Sequence, residues 1–456
     1  MKLFNKYILS SLAILAVATT LNAQNTRSGY FVDDYTYRFQ MNPAFDNSRS
    51  FFSMPGLGNV NVSMAGTLAV GDVLYNVDGR TTTFLNPGVS VAEVMSNIGN
   101  SNRIDADLNL TLISTGFKAF GGYNTVSIGA RSSMGVRLPK SLFSLLKEGV
   151  ANETYDISDL GARATAYAEI ALGHSHQLGK KWRVGGTFKF LIGGGFIDAD
   201  LHNSQLNLGR EEWTITANGD VNANVKGLSY KTKVNDRTGY RYVNGAEING
   251  AGINGFGAAL DLGAVFTPDK SWSVSLALLD FGFIRWSNNV LASTCGEKTF
   301  NSDRYTFNVD DDAPNSFGKE WDRMRDDLTG LYELENVGDT GAKTRMLSAT
   351  LNTGVQYTLP CYDKLNFGLL NTTRIHGAYS WTDFRLSANI APVKCLSGSV
   401  NISEGTFGFG FGWLINLHTK GFNLFLGMDR TLGKLTKEGI PLNSNASFNF
   451  GLNFPL

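Results

Sequence analysis

The sequence predicts an all-β protein: an antiparallel transmembrane β-barrel of about 14 strands, with an N-terminal plug and short helices in its extracellular loops. Three observations carry this expectation. Apolar side chains alternate with glycine or polar ones over runs of about ten residues, the length a tilted strand needs to cross a bilayer. No run of roughly 18 apolar residues follows the N-terminal stretch, which excludes helical spans. The connections fall on two rims, one holding only tight turns and the other all of the long loops.

Composition agrees. Gly is 51 of 456 residues, above the usual ~7%, Phe is 30 and Pro only 10. With 40 basic and 40 acidic side chains the chain has no net field to attract nucleic acid, so that class of partner is not expected.

Residues 1–23 read as a signal peptide. Lys2 and Lys6 give a basic start, Ile8 to Leu21 is mostly apolar, and Ala23 before Gln24 is the expected cleavage point. Residues 24–57 precede the first strand and carry Tyr30, Phe31, Tyr35, Tyr37, Phe39, Phe45, Phe51 and Phe52, too many aromatics for a free tail. Fourteen strands enclose more space than wall side chains can fill, so this segment is the expected plug. Gly56 and Gly58 would hinge it to the wall.

The barrel itself is expected over 58–456, with strands at 58–70, 107–118, 123–136, 163–177, 182–208, 255–267, 271–285, 346–359, 365–378, 383–394, 399–403, 407–417, 421–431 and 445–456. Alternation is clearest where Phe407, Phe409, Phe411, Trp413 and Ile415 face one way and Gly408, Gly410 and Gly412 the other. Tight turns at 119–122, 178–181, 268–270, 360–364, 395–398 and 418–420 belong to the periplasmic side. Two-faced strands, long outer loops and both ends on one side describe a barrel of the cell outer membrane, surrounded by lipid. The last strand, with Phe448, Phe450, Leu452 and Phe454 on one face, resembles the C-terminal signal read by the barrel-insertion machinery, although it ends in Leu456 rather than an aromatic.

Two outer loops contain helix candidates. Pro139 opens one running to Gly149, apolar on most sides, whose Leu142, Phe143, Leu146 and Val150 are placed to pack over the barrel mouth. The other, around Lys319 to Asn336, places Trp321, Met324, Leu328 and Leu331 on one stripe of a loop with 12 acidic and 7 basic residues. That stripe is either buried or offered to a surface protein partner.

The N-terminal segment with Asn42, Pro43 and Ala44 ahead of fourteen strands resembles the long-chain fatty-acid transporter superfamily of outer-membrane barrels, and most closely its members of unknown function. The resemblance implies that residues 24–57 fold back as a hatch, that Asn42, Pro43 and Ala44 belong to it, that a helical outer loop forms a groove capturing hydrophobic molecules, for which Leu142, Phe143, Leu146 and Val150 are the candidates, and that these molecules leave sideways through the wall. Asn-Pro also favours a simple turn.

Chemistry is scarce. His174 and His176 share a strand face but have no recognisable third ligand, and Asp310 to Asp312 lack the glycine and spaced glutamate of a calcium loop. No catalytic set, metal site or cofactor fingerprint stands out, so an enzyme is not expected. Cys361 and Cys395 fall in neighbouring turns where a bridge is conceivable, which leaves Cys295 unpaired. Two functions follow: passive transport of small hydrophobic molecules, or a non-transporting scaffold in a secretion or surface assembly.

Overall fold

The computed structural model describes residues 26–151, 153–250, 252–308, 312–431 and 445–456. The expected signal peptide, 1–23, and Asp310 and Asp311 lie outside these residues. The wall consists of β1 in two pieces (Phe51–Ser53 and Asn59–Gly66), β2 (Ser101–Ala119), β3 (Gly122–Pro139), β4 (Gly161–Leu178), β5 (Trp182–Leu201), β6 (Gly255–Phe266), β7 (Trp272–Trp286), β8 (Ala349–Thr358), β9 (Leu365–Ile375), β10 (Trp381–Val393), β11 (Leu396–Gly405), β12 (Gly410–His418), β13 (Asn423–Met428) and β14 (Ala446–Pro455). Each strand pairs antiparallel with its neighbours. β14 returns to β1 through Phe450 opposite Val60 and Phe454 opposite Phe52, so the sheet closes and leaves no edge. The fourteen expected strands are present in the expected order, and no helix among the described residues is long and apolar enough to cross a membrane.

Wall positions alternate as a two-solvent sheet requires. Along β5, Phe188 and Phe190 are exposed outward while Thr187, Lys189 and Leu191 are buried inward. Because the lumen is filled, the inward face of a polar-lined barrel behaves as an interior.

Several boundaries differ from the expectation. Pairing with the wall begins at Phe51, not 58: Phe51 points inward and is buried, Phe52 is exposed, and residues 54–58 form a bulge held by Met54 N–H to Leu452 O and Gly56 N–H to Leu112 O. The expected strand 182–208 ends at Leu201, after which Gln205–Leu208 leaves the wall for a separate sheet. Phe407 is buried beneath the outer turn rather than facing lipid, and Gly408 occupies that turn at φ +69°, where glycine is favoured. β12 starts at Gly410, which places Phe411 at the end of the wall.

This geometry gives a depth-dependent prediction. Phe188 lies six residues up from Trp182 at the short-turn rim, whereas Phe411 sits at the long-loop end. Phe188→Arg should therefore cost about 2–4 kcal/mol of insertion free energy and Phe411→Arg about 0–1. Folding into lipid vesicles, read as heat-modifiable migration, checks the order; equal penalties would refute the depth assignment.

Candidate functional site

Residues 26–50 enter the barrel from the short-turn side. Their only regular structure is two short 3-10 turns, Arg27–Gly29 and Thr36–Gln40. Tyr30, Phe31, Tyr35, Tyr37, Phe39 and Phe45 are all buried and share a cluster with wall residues Tyr123, Leu370, Leu414 and Phe425. Tyr35 meets Phe425 edge-on at 4.9 Å and 79°, the arrangement ring quadrupoles favour.

An irregular segment buried this way needs partners for its backbone. The wall supplies them as side chains: Asn352 donates to Met41 O at 2.9 Å, Asn366 to Phe31 O at 3.4 Å and Asn416 to Asp34 O at 3.0 Å. Asp429 accepts from the N–H groups of Arg27 at 2.9 Å and Ser28 at 2.6 Å. Inward asparagines that looked like ordinary polar strand positions thus take the place of a neighbouring strand.

Asn42, Pro43 and Ala44 form a turn: Asn42 Oδ1 accepts the Ala44 N–H at 2.9 Å and Asn42 O accepts the Phe45 N–H at 3.0 Å. The turn is seated on glycine. A Cβ at Gly263 would lie 2.1 Å from Asn42 Oδ1, and one at Gly185 would lie 2.1 Å from Pro43 O. Only residues without a side chain on β5 and β6 let the segment approach so closely.

Above the segment the lumen is crossed by ion pairs. Lys189 bridges Asp261 at 2.7 Å and Asp280 at 2.5 Å, Arg131 meets Glu169 at 2.8 Å, and Arg374 meets Asp107 at 3.0 Å. Nearer the long-loop rim Asp383 binds Arg430 at 2.9 Å, Arg385 at 3.2 Å and Arg27 at 3.4 Å. Burial, together with Arg163, Arg374 and Arg103, holds the imidazole of His376 in the outer turn down to about 3, so it stays neutral while Ser348 Oγ contacts its Nδ1 at 2.6 Å.

Between these groups lies a cavity of about 110 Å³ to which the N-terminal segment contributes Arg27 and Met41. Its lining combines apolar Phe196, Ile284 and Trp286 with Arg131, Arg345 and Arg374, and the Arg345 guanidinium lies over the Phe196 ring at 4.0 Å. At its edge the wall ladder changes. Leu279 and Asp280 together oppose Asp261, a β-bulge in which Asp280 has φ +57° and donates its N–H to Asp261 Oδ1 at 2.7 Å. On its other side β7 pairs with β8 up to Leu279 opposite Thr350, and pairing resumes only at Phe283 opposite Met346 of the short strand Lys343–Met346. Within the interruption Leu347 N–H donates to Gly282 O at 2.9 Å, and Leu347 and Ser348 line the cavity.

The long loops pack into a cap with its own cores. Strands Thr154–Asp156, Gln205–Leu208, Trp213–Ala217 and Lys298–Asn301 form a four-stranded sheet over which Met324 and Leu331 pack. A second core joins Phe84, Val94 of α1 (Val91–Asn97) and Phe143 of α2 (Lys140–Glu148). The four groove candidates are therefore dispersed: Phe143 is buried in this core, Leu146 packs against it, Leu142 is half-buried and Val150 is exposed. In α3 (Phe317–Gly330) Met324 is buried as the stripe predicts, but Trp321 is turned out, parallel to exposed Phe317 within 5°. The helix ends at Gly330, short of the expected Asn336, and Glu335–Asp339 is a strand.

His174 and His176 lie 5.9 Å apart by ring centroids on the outer wall, and among the described residues no three metal-ligating side chains come together. Cys361 and Cys395 are both free, so the conceivable bridge is not made, and Cys295 is free as well. The glycine seats and the ladder interruption leave no signal in the linear chain, because each depends on which residues become neighbours across paired strands.

Residues 43–429 match the model of a family described as a family of unknown function (DUF5723). No curated protein matches the chain. Solved structures similar to it include the Ralstonia pickettii toluene transporter TbuX, at 10% identity over 92% of this chain and 93% of that one, TM-score 0.43. The Pseudomonas putida toluene transporter TodX is 7% identical over 95% and 93%, TM-score 0.37. A Pseudomonas aeruginosa FadL homologue is 8% identical over 90% of each chain, TM-score 0.34.

Proposed function

Since the chain belongs to the family of unknown function DUF5723 and closes as a fourteen-stranded barrel, we propose that it passes small hydrophobic molecules passively across the cell outer membrane. The observation that carries this reading is the meeting of the cavity with the interrupted ladder between β7 and β8. Unpaired backbone facing lipid costs several kcal/mol per group, so a break in a barrel ladder is tolerated where protein or water meets it from inside. Here the cavity does so, through Leu279, Leu347 and Ser348. A molecule entering from the long-loop side would rest against Phe196, Ile284 and Trp286 and leave through the wall at Asp280 to Gly282.

In this reading residues 24–57 are the plug, and Asn42, Pro43 and Ala44 hold it to the glycine seats and close the periplasmic route. Leu142 and Val150, the more accessible groove candidates, would contact a molecule on entry, while Phe143 and Leu146 steady the cap. The signal peptide and the C-terminal strand deliver the chain to the membrane and to the insertion machinery. A scaffold is the second reading, favoured by the exposed Phe307, Phe317 and Trp321 on the cap, a patch of the kind that binds partner proteins.

The test pins the interruption shut. Phe283→Cys with Met346→Cys, register partners at its upper edge, are introduced with Cys295, Cys361 and Cys395 replaced by Ser. Oxidation should abolish uptake of a hydrophobic fluorescent probe and reduction should restore it. Uptake that ignores the bridge would overturn the wall route and favour the scaffold.

A further inference from the structure

Every short turn of the barrel carries lysine. Lys118 borders the first turn, Lys180 and Lys181 form the second, and Lys270, Lys364, Lys394 and Lys420 stand in the remaining four. All seven are exposed. Asp269 and Asp363 are the acids of these turns, and Asp269 is engaged in holding its own turn, accepting the N–H groups of Ser271 at 2.8 Å and Trp272 at 2.9 Å. Asp33, Asp34 and Asp46 of the N-terminal segment line clefts with Lys181, Lys270, Lys364 and Lys394, but they contact Arg38, His418 and Arg183, and among the described residues none of the seven lysines forms an ion pair.

The same rim is marked by exposed aromatics at the strand ends. Trp182 packs on Phe266 at 4.6 Å and Trp272 on Tyr357 at 4.7 Å, while Phe120 is 86% exposed at the first turn. Rings with an apolar body and a polar edge settle at headgroup level, so this belt fixes where the membrane surface lies. The lysines stand at that level, where a flexible stem can lie along apolar surface and bring its ammonium to a phosphate. The opposite rim has the reverse sign: the loop 286–345 holds 12 acidic against 7 basic residues.

We infer that the short-turn rim is a docking ring for acidic phospholipid headgroups of the periplasmic leaflet, holding the barrel at a fixed depth and orientation. The inference requires only that the barrel spans the membrane, and stands whether or not it conducts.

The test reconstitutes the full barrel in nanodiscs of equal phosphatidylcholine and phosphatidylglycerol and measures, by native mass spectrometry, which lipid is retained. Wild type should retain phosphatidylglycerol several-fold above the bulk ratio, and lose that preference at high salt. Replacing the seven lysines with Gln should return retention to the bulk ratio, while replacing them with Arg should keep it. Heat-modifiable migration confirms that both variants are folded. Equal retention of the two lipids by wild type would overturn the inference. Binding of soluble polyglutamate by the detergent-solubilised barrel, without lipid preference, would equally overturn it and assign the ring to a soluble acidic partner.

Discussion

Deleting Ser28 to Asn47 is expected to convert a closed barrel into a conducting pore that still inserts. The wall ladder begins at Phe51 and β1 pairs with β2 and β14 through residues outside the deletion, so the wall keeps its backbone hydrogen bonds. What disappears is the buried aromatic cluster and the stretch held by Asn352, Asn366 and Asn416, whose amides can then be satisfied by water entering the lumen. Planar-bilayer recordings should show a conductance absent from wild type. Gly263→Leu should move in the same direction without a deletion, because its Cβ would already lie 2.1 Å from Asn42 Oδ1. Normal insertion with no conductance in either variant would mean that the cap or the ion pairs close the lumen, and the plug reading would have to be abandoned.

The second large effect is expected at Asp383. Its carboxylate is buried and serves three guanidinium groups, Arg27, Arg385 and Arg430. Asp383→Ala leaves these cations facing one another with Asp429 as the nearby acid, and removal of one partner from a buried charge set costs about 3–5 kcal/mol. The midpoint of urea-induced unfolding should fall accordingly, and adding Arg430→Met to the same chain should recover part of the loss by removing one stranded charge. A drop below about 1 kcal/mol would show that these groups are solvated and behave as surface pairs.

The wall was legible in the sequence because a strand between lipid and a filled lumen must alternate, and because tight turns announce themselves through residues such as Gly179 and Pro268. Where alternation runs past the sheet it misleads. Phe407 continues the pattern of Phe409 and Phe411 yet is drawn inward to contact Trp381, and Gln205–Leu208 continues the pattern of β5 but pairs with Trp213–Ala217 in the cap. The aromatics of the N-terminal segment pointed to a place inside the barrel, but the residues that seat it there were not legible. Nothing in the spacing of Asn42 couples it to Gly185 and Gly263, which lie on different strands and become one surface only when β5 and β6 pair with these two glycines opposite each other. The lumen charges were equally hidden: Asp261 and Lys189 each read as one polar residue on an inward face, and their pairing across β5 and β6 is a fact of register.

The partners of the N-terminal segment also set an order of assembly. Arg27 and Ser28 are bound by Asp429, 402 and 401 residues away, and Asp34 and Met41 by side chains 382 and 311 residues away. Contacts of such sequence separation form late, after the loops between them have been closed. The N-terminal segment is therefore the last part of the barrel to find its place, and its six buried aromatics have nothing to pack against until a wall exists to receive them.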